Sequence, residues 1–187
     1  MRPDDTTNPV AAWAEYPSPV GRITAAATST GLLRLEFGPR SPDDPAQHDL
    51  TRHDPTRPQG GADGCDRWLT LLDTELTRYF AGELRQFTVP LDWSLVSGAR
   101  AHMLRTLVQR VAYGETTTYG QLATDSGRPG AARLVGTVMG SNPIAIVVPC
   151  HRVLASDGSL GGYGPGIAYK RQLLELEGAL PEPLALW

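Results

Sequence analysis

Lysine is almost absent from this sequence. Of 17 basic residues only Lys170 is a lysine, a bias that reads as genome composition and not as function. Cysteine is scarce as well: Cys65 and Cys150 are the only two, too few for a disulfide framework. No apolar run approaches the ~20 residues of a membrane span. The opening residues Met1-Arg2-Pro3-Asp4-Asp5 hold no apolar segment of the kind a secretory signal needs. The sequence therefore reads as a soluble, cytoplasmic protein with no membrane partner. A large excess of positive charge is missing too, since the net charge is −3. What is present is ordinary globular composition, 41% hydrophobic and 20% charged over 187 residues. That excludes collagen, coiled coil and wholesale disorder, and it suffices for one domain or two small ones.

Charge is unevenly spread. Residues 1–97 carry nine basic and fourteen acidic groups, whereas residues 98–187 carry eight and six. A polyanion partner would belong to the second half. In the first half, Trp13 to Thr28 reads as two strands around the turn Ser18-Pro19-Val20-Gly21, and Gly31 to Phe37 alternates as a third strand. Residues 38–64, rich in Pro, Asp and Gly, read as a long polar loop or disordered segment. Asp66 to Phe80 has the three-and-four apolar spacing of an amphipathic helix ended by Gly82, and Phe87 to Trp93 resembles an edge strand interrupted by Pro90. The second half reads as mainly helical: a helix from Ala99 to Val111, short helices at Thr118–Asp125 and Ala131–Met139 joined by a Gly-containing turn, and a closing helix from Lys170 to Glu177. The two short helices make a helix-turn-helix candidate. The expected fold class is α/β in the α+β sense: a small N-terminal antiparallel sheet with a helix (residues 1–97), then a mainly helical domain with a helix-turn-helix (98–187).

Chemistry points to one segment. The apolar run Ile144 to Val148 ends at Pro149-Cys150-His151-Arg152. A free cysteine is usually an inert core residue. Here a histidine adjoins it and Glu177 lies on a later helix. A thiolate nucleophile needs a base or a positive field to form near neutral pH. His151 as base or water relay, oriented by Glu177, would supply one. Cys65, at a helix start, reads as structural or incidental. His48 and His53 lie in the Pro-rich loop with no rigid frame for a metal, and His102 reads as a surface residue. No metal and no cofactor is expected.

Val148-Pro149-Cys150-His151-Arg152-Val153-Leu154 resembles the active-site signature of the methylated-DNA–protein-cysteine methyltransferases, the repair proteins that act on 6-O-alkylguanine. Ser18-Pro19-Val20-Gly21 and Tyr79 to Leu84 resemble that family's N-terminal half. Gly114-Glu115, Tyr119, Ala131-Ala132-Arg133, Val135-Gly136, Asn142-Pro143, Gly162-Tyr163-Gly164 and Leu173 to Gly178 resemble its C-terminal half, in order and spacing. The resemblance implies irreversible, single-turnover transfer of an alkyl group from guanine oxygen in double-stranded DNA to Cys150. It implies a flipped base, minor-groove binding, and a monomer that needs no cofactor. By the same resemblance, Arg133 would fill the vacated stack, and Ala131, Ala132 and Gly136 would let its helix approach the sugar-phosphate walls. Tyr119 would rotate a phosphate or protonate the departing purine. Asn142 would hold the thiolate loop, the carbonyls of Cys150 and Val153 would read the base edge, and Tyr163 and Gly164 would wall the pocket.

The sequence departs from the family pattern in places. Arg100 and Arg105 stand where the family puts core aromatics. Leu134, Thr137 and Val138 stand where small residues are common on the recognition helix, which would hold it away from DNA. Gly140 replaces a position that is often polar or basic. These departures leave open a cysteine alkyl acceptor turned to another substrate, a non-catalytic module that binds alkylated DNA, or a plain helix-turn-helix regulator. Some members of the family carry an N-terminal zinc site, but the ligands for it are absent here.

Overall fold

The computed structural model describes residues 11–39 and 64–180. The expected polar loop falls mostly outside these residues, as do His48 and His53. Three strands open the fold: β1 (Ala12–Ser18), β2 (Gly21–Ala27) and β3 (Leu32–Phe37), antiparallel in the order β1-β2-β3. Gly21 sits at φ +97 and lets the chain reverse after Pro19-Val20, a backbone region that L-residues with a side chain avoid. Ile23, Ala25 and Leu35 share the inner face with helix α1 (Cys65–Phe80), which buries Leu69, Leu72, Leu76 and Tyr79. Burying such side chains stabilises by about 1.5–3 kcal/mol each. Cys65 belongs to this core. On the opposite face Trp13, Ala26 and Leu33 form a small second cluster.

Phe87 to Trp93 is not a strand. Its backbone donors turn instead to the buried carboxylate of Glu75, which accepts from the Thr88 amide (2.7 Å), the Thr88 hydroxyl (2.6 Å) and the Val89 amide (3.2 Å). A single bridge, Leu91 to Leu32, touches the sheet. One acidic side chain thus replaces a ladder, which the local alternation could not reveal.

Helix α2 (Gly98–Arg110) faces the core with Ala101, Met103, Leu104 and Leu107. Arg100 and Arg105 point outward: Arg100 donates to the Ser141 carbonyl at 2.8 Å, and Arg105 lies 5.1 Å from the centre of the Trp93 ring. The core is therefore filled by aliphatic residues, and neither arginine disturbs it. Thr117 and Thr118 (β4) pair in parallel with Val153 and Leu154 (β5). Helices α3 (Tyr119–Asp125) and α4 (Ala132–Gly140) pack on each other as the helix-turn-helix, with Leu122, Ala123, Val135 and Val138 buried. Thr118 caps α3 by accepting the Gln121 amide at 3.1 Å. Helix α5 (Ile167–Leu176) closes the fold. Among the described residues, no helix is long and apolar enough to cross a membrane.

Candidate active site

The segment from Asn142 to Cys150 is pinned from two sides. At its start it extends the sheet: Leu35 donates to the Pro143 carbonyl and Ala145 donates to the Leu35 carbonyl, both at 2.9 Å. Within it Ile146 adopts φ 69, a left-handed conformation that costs a β-branched residue about 1–3 kcal/mol. The surrounding hydrogen bonds hold that strain. At the end of the segment a single 3-10 turn, Cys150–Arg152, buries all three of its side chains.

Asn142 organises the sulfur. Its Nδ2 donates to the Val148 carbonyl (2.9 Å) and to Cys150 Sγ (3.1 Å), while its Oδ1 accepts the Ile144 amide (3.1 Å). Cys150 looks into a cavity of about 460 Å³ lined also by Tyr119, Gly136, Met139, Gly140 and Gly162 to Gly164, a size that fits roughly the 300–1,000 Å³ of small-ligand sites. The Tyr163 hydroxyl is buried and has no hydrogen-bond partner of ordinary geometry among the described residues, yet it lies close enough to the sulfur to favour its ionised form. Burial pushes the Cys150 thiol above its usual value, and Asn142, Tyr163 and Lys170 pull it back part of the way. The resting sulfur is therefore a protonated thiol that must lose its proton as it reacts.

Behind the sulfur lies a buried polar cluster. His151 Nε2 meets Glu177 Oε1 at 2.9 Å, and its Nδ1 is buried without a partner among the described residues. This pattern places the proton on Nε2 and leaves Nδ1 free to accept one. Burial lowers the His151 pKa, with Glu177 opposing. Arg152 grips Glu177 with two donors, Nε at 2.7 Å and Nη2 at 2.9 Å, and its Nη1 donates to the Val111 carbonyl at 2.9 Å. Burial raises the Glu177 pKa, but the hydrogen bonds from His151 and Arg152 outweigh it and leave the carboxyl at about 2.

Three residues of this site carry no role in the sequence reading: Arg152 and Tyr79, which lie inside the family motifs, and Lys170, which lies outside them. Lys170, the lone lysine, is fully buried. It donates to the carbonyl of Val153 at 2.6 Å and to that of Leu160, and sits 6.0 Å from the centre of the Tyr119 ring. Burial lowers its pKa to about 8, and a thiolate on Cys150, once formed, raises it again. Its position on an amphipathic helix gave one usable signal, because it occupies the apolar face together with Leu173 and Leu174.

The other expected residues are distributed as follows. Tyr119, Gly136, Tyr163 and Gly164 line the cavity. Val153 does not, and its carbonyl already accepts from Lys170. Among the described residues the Tyr119 hydroxyl makes one long hydrogen bond, to the Gly162 carbonyl at 3.4 Å, weak enough to be exchanged for one to a ligand. Arg133 is exposed in the first turn of α4, with Ala131 and Ala132 half-buried beside it. Leu134 and Thr137 are exposed, but Val138 points into the core and cannot hold the helix off a partner.

A small sheet unit, a helix-turn-helix, and a buried cysteine facing a cavity walled by the helix-turn-helix and residues 162–164 define a class: a helix-turn-helix protein with a cavity-facing thiol. The comparisons give the family. Residues 12–93 match the model of the 6-O-methylguanine DNA methyltransferase ribonuclease-like domain, and residues 101–179 match that of the 6-O-methylguanine DNA methyltransferase DNA binding domain. The methylated-DNA–protein-cysteine methyltransferase of Mycobacterium tuberculosis is 41% identical over 160 residues, covering 86% of this chain and 88% of its own. That of Methanosarcina acetivorans is 34% identical, covering 89% and 98%. The crystal structure of the M. tuberculosis O6-methylguanine methyltransferase superposes with a TM-score of 0.73 at 38% identity, over 94% of this chain and 98% of that one. A structure of the M. tuberculosis protein in complex with DNA gives 0.69, over 89% and 92%. This chain belongs to the methylated-DNA–protein-cysteine methyltransferase family.

Proposed function

We propose that Cys150 is the acceptor in this protein's reaction and that the cavity above it receives a flipped alkylguanine. The protein repairs DNA directly, moving an alkyl group from the oxygen at position 6 of guanine to a cysteine, and double-stranded DNA is its partner. The observation that carries the assignment is Cys150 Sγ, held by Asn142 at 3.1 Å and facing a cavity walled by Tyr119, Tyr163 and Gly164. Cys65, by contrast, is packed in the core of the first half.

In the proposed step, His151 Nδ1 takes the thiol proton, directly or through a water. The sulfur attacks the alkyl carbon, the carbon–oxygen bond breaks, and its electron pair goes to the guanine oxygen. The leaving purine gains a proton from Tyr119. Burial keeps the Tyr119 hydroxyl protonated until that moment, and the Cys150 charge adds to the effect. Glu177 steadies the imidazolium, and the Lys170 ammonium offsets negative charge as it forms on sulfur. The thioether that results has no leaving group to return, so each molecule reacts once.

We infer minor-groove docking by α4 and action as a monomer. Arg133 is exposed at the start of that helix, as a side chain filling a vacated stack must be. The small residues Ala131, Ala132 and Gly136 leave room beside it, and Val138 is out of the way. The division of labour follows residues 1–97 and 98–187, the second of which carries the excess of basic groups.

A two-substrate comparison tests this reading. Arg133→Ala slows repair in a duplex by about tenfold, because part of the few kcal/mol needed to flip a base is no longer recovered. Its reaction with the free alkylated base stays at the wild-type rate. Equal losses on both substrates contradict the role.

A further inference from the structure

Glu177 is held from the N-terminal half as well as from its own. The Tyr79 hydroxyl, near the end of α1, donates to Glu177 Oε1 at 2.7 Å across 98 residues of sequence. Tyr79 is 1% exposed, and its ring lies against Phe80, Phe87 and Tyr113 at centroid separations of 5.2, 5.3 and 6.0 Å. Oε1 therefore accepts from three groups, Tyr79, His151 and Arg152, and His151 is the only one of them that adjoins the acceptor sulfur in sequence.

We propose that Tyr79 is a positioning residue for alkyl transfer, through which the N-terminal unit aims the Glu177 carboxylate at His151. Beyond its place in a family motif, nothing in the local sequence of α1 marks this residue. The proposal rests on the reading of Cys150 as acceptor with His151 as its base.

The geometry supports two effects. The first is orientation. Oε1 sits at the meeting point of three donors, and Tyr79 is the donor from a separate, rigid element. Without it the carboxylate is fixed only by the turn that carries His151 and Arg152, which would then position itself. The second is electrostatic. A hydroxyl donating to Oε1 draws off charge that the carboxylate would otherwise present to the imidazole. The hydroxyl so keeps His151 readier to stay neutral and act as a base. The titratable and charged groups packed around this pair are Tyr79, Tyr113, Tyr163, Arg152, Lys170 and Cys150. Of these, Arg152 and Lys170 already lower the His151 pKa, and Glu177 raises it. Burial, followed by the Glu177 charge, holds the Tyr79 hydroxyl well above its usual range, so it is a permanent donor.

The test is Tyr79→Phe, which keeps the ring and removes only the hydroxyl. Tyr113→Phe is the control: it deletes a hydroxyl from the same aromatic cluster, but one that donates to the Leu176 carbonyl at 2.9 Å and not to Glu177. Single-turnover transfer from a methylguanine duplex is measured across pH for both variants and wild type. Tyr79→Phe is expected to slow transfer at neutral pH by about threefold to tenfold, the scale of one hydrogen bond to a charged group felt in part. Its acid limb moves to higher pH, because His151 holds its proton more tightly. Nitrogen NMR of the His151 ring in the unreacted protein moves the same way. Tyr113→Phe changes neither. A wild-type rate and pH profile in Tyr79→Phe overturns the proposal, as does an equal change in Tyr113→Phe, which would make the effect one of packing. If wild type takes up no methyl group at all, the assignment of Cys150 fails instead, so the two failures are told apart.

Discussion

Replacing Cys150 by alanine abolishes methyl uptake from a duplex carrying methylated guanine and leaves affinity for that duplex unchanged. The first half of this expectation follows from the chemistry of the site. Among the described residues that line the cavity, Cys150 carries the one thiol, the other sulfur being the Met139 thioether, and three groups favour its ionised form: Asn142 and Tyr163 against the sulfur, and Lys170 with its charge nearby. Cys65 cannot substitute, because it is buried at the start of α1 within the core. The second half follows from separation of roles. Arg133 is exposed in the first turn of α4 and is not among the residues that line the cavity, and alanine removes one atom from the cavity without touching it. The checks are uptake of a labelled methyl group and a binding titration on the same duplex at fixed salt. Residual uptake by Cys150→Ala would mean that another residue is the acceptor.

Glu177→Gln is expected to cost about 3–5 kcal/mol of stability, the usual cost of leaving a buried partner charge uncompensated. Arg152 is 7% exposed and directs two of its donors at that carboxylate. Glutamine can accept at one oxygen only and must turn an NH₂ group toward Arg152 or His151. The pH dependence provides an internal check. The Glu177 pKa is about 2 in the folded protein against an ordinary 4.5. A depressed carboxyl pKa means that its stabilisation is complete above the unfolded value and is lost as pH falls from 4.5 toward about 2. The stability difference between wild type and Glu177→Gln, from urea unfolding, is therefore largest above that window and narrows through it. A constant difference from neutral pH down to about 2 would contradict the role given to the charge. Alkyl transfer by the variant also falls, since the imidazolium loses its counter-charge.

Most of the fold could be read from local pattern. The turn at Ser18 to Gly21 places the first two strands, alternation places the third, and three-and-four spacing places α1. Leu122, Ala123 and Val135 mark the packed faces of the helix-turn-helix. Reading failed where a distant side chain takes over a local job. Phe87 to Trp93 alternates like a strand, yet Glu75, thirteen and fourteen residues earlier, claims the Thr88 and Val89 amides. Val138 reads as an obstacle on the recognition helix, yet packing turns it inward. The same limit applies to the site. Cys150, His151 and Asn142 lie within one short stretch and were legible together as a motif. Tyr79, 98 residues from Glu177, and Lys170, 17 residues from the carbonyl it holds, act through contacts that only the folded chain creates. The scarcity of lysine reads as composition and assigns Lys170 no role, yet the residue is fully buried, an uncommon place for an ammonium group.

The most direct test of the central claim is mass spectrometry of the protein, intact and after peptide mapping, following incubation with a methylguanine-containing duplex. The expected result is a single added methyl group, placed on the peptide that contains Cys150, with no further uptake however much duplex is supplied. A methyl group on Cys65 or on any other residue, or demethylation of more duplex than there is protein, would contradict it.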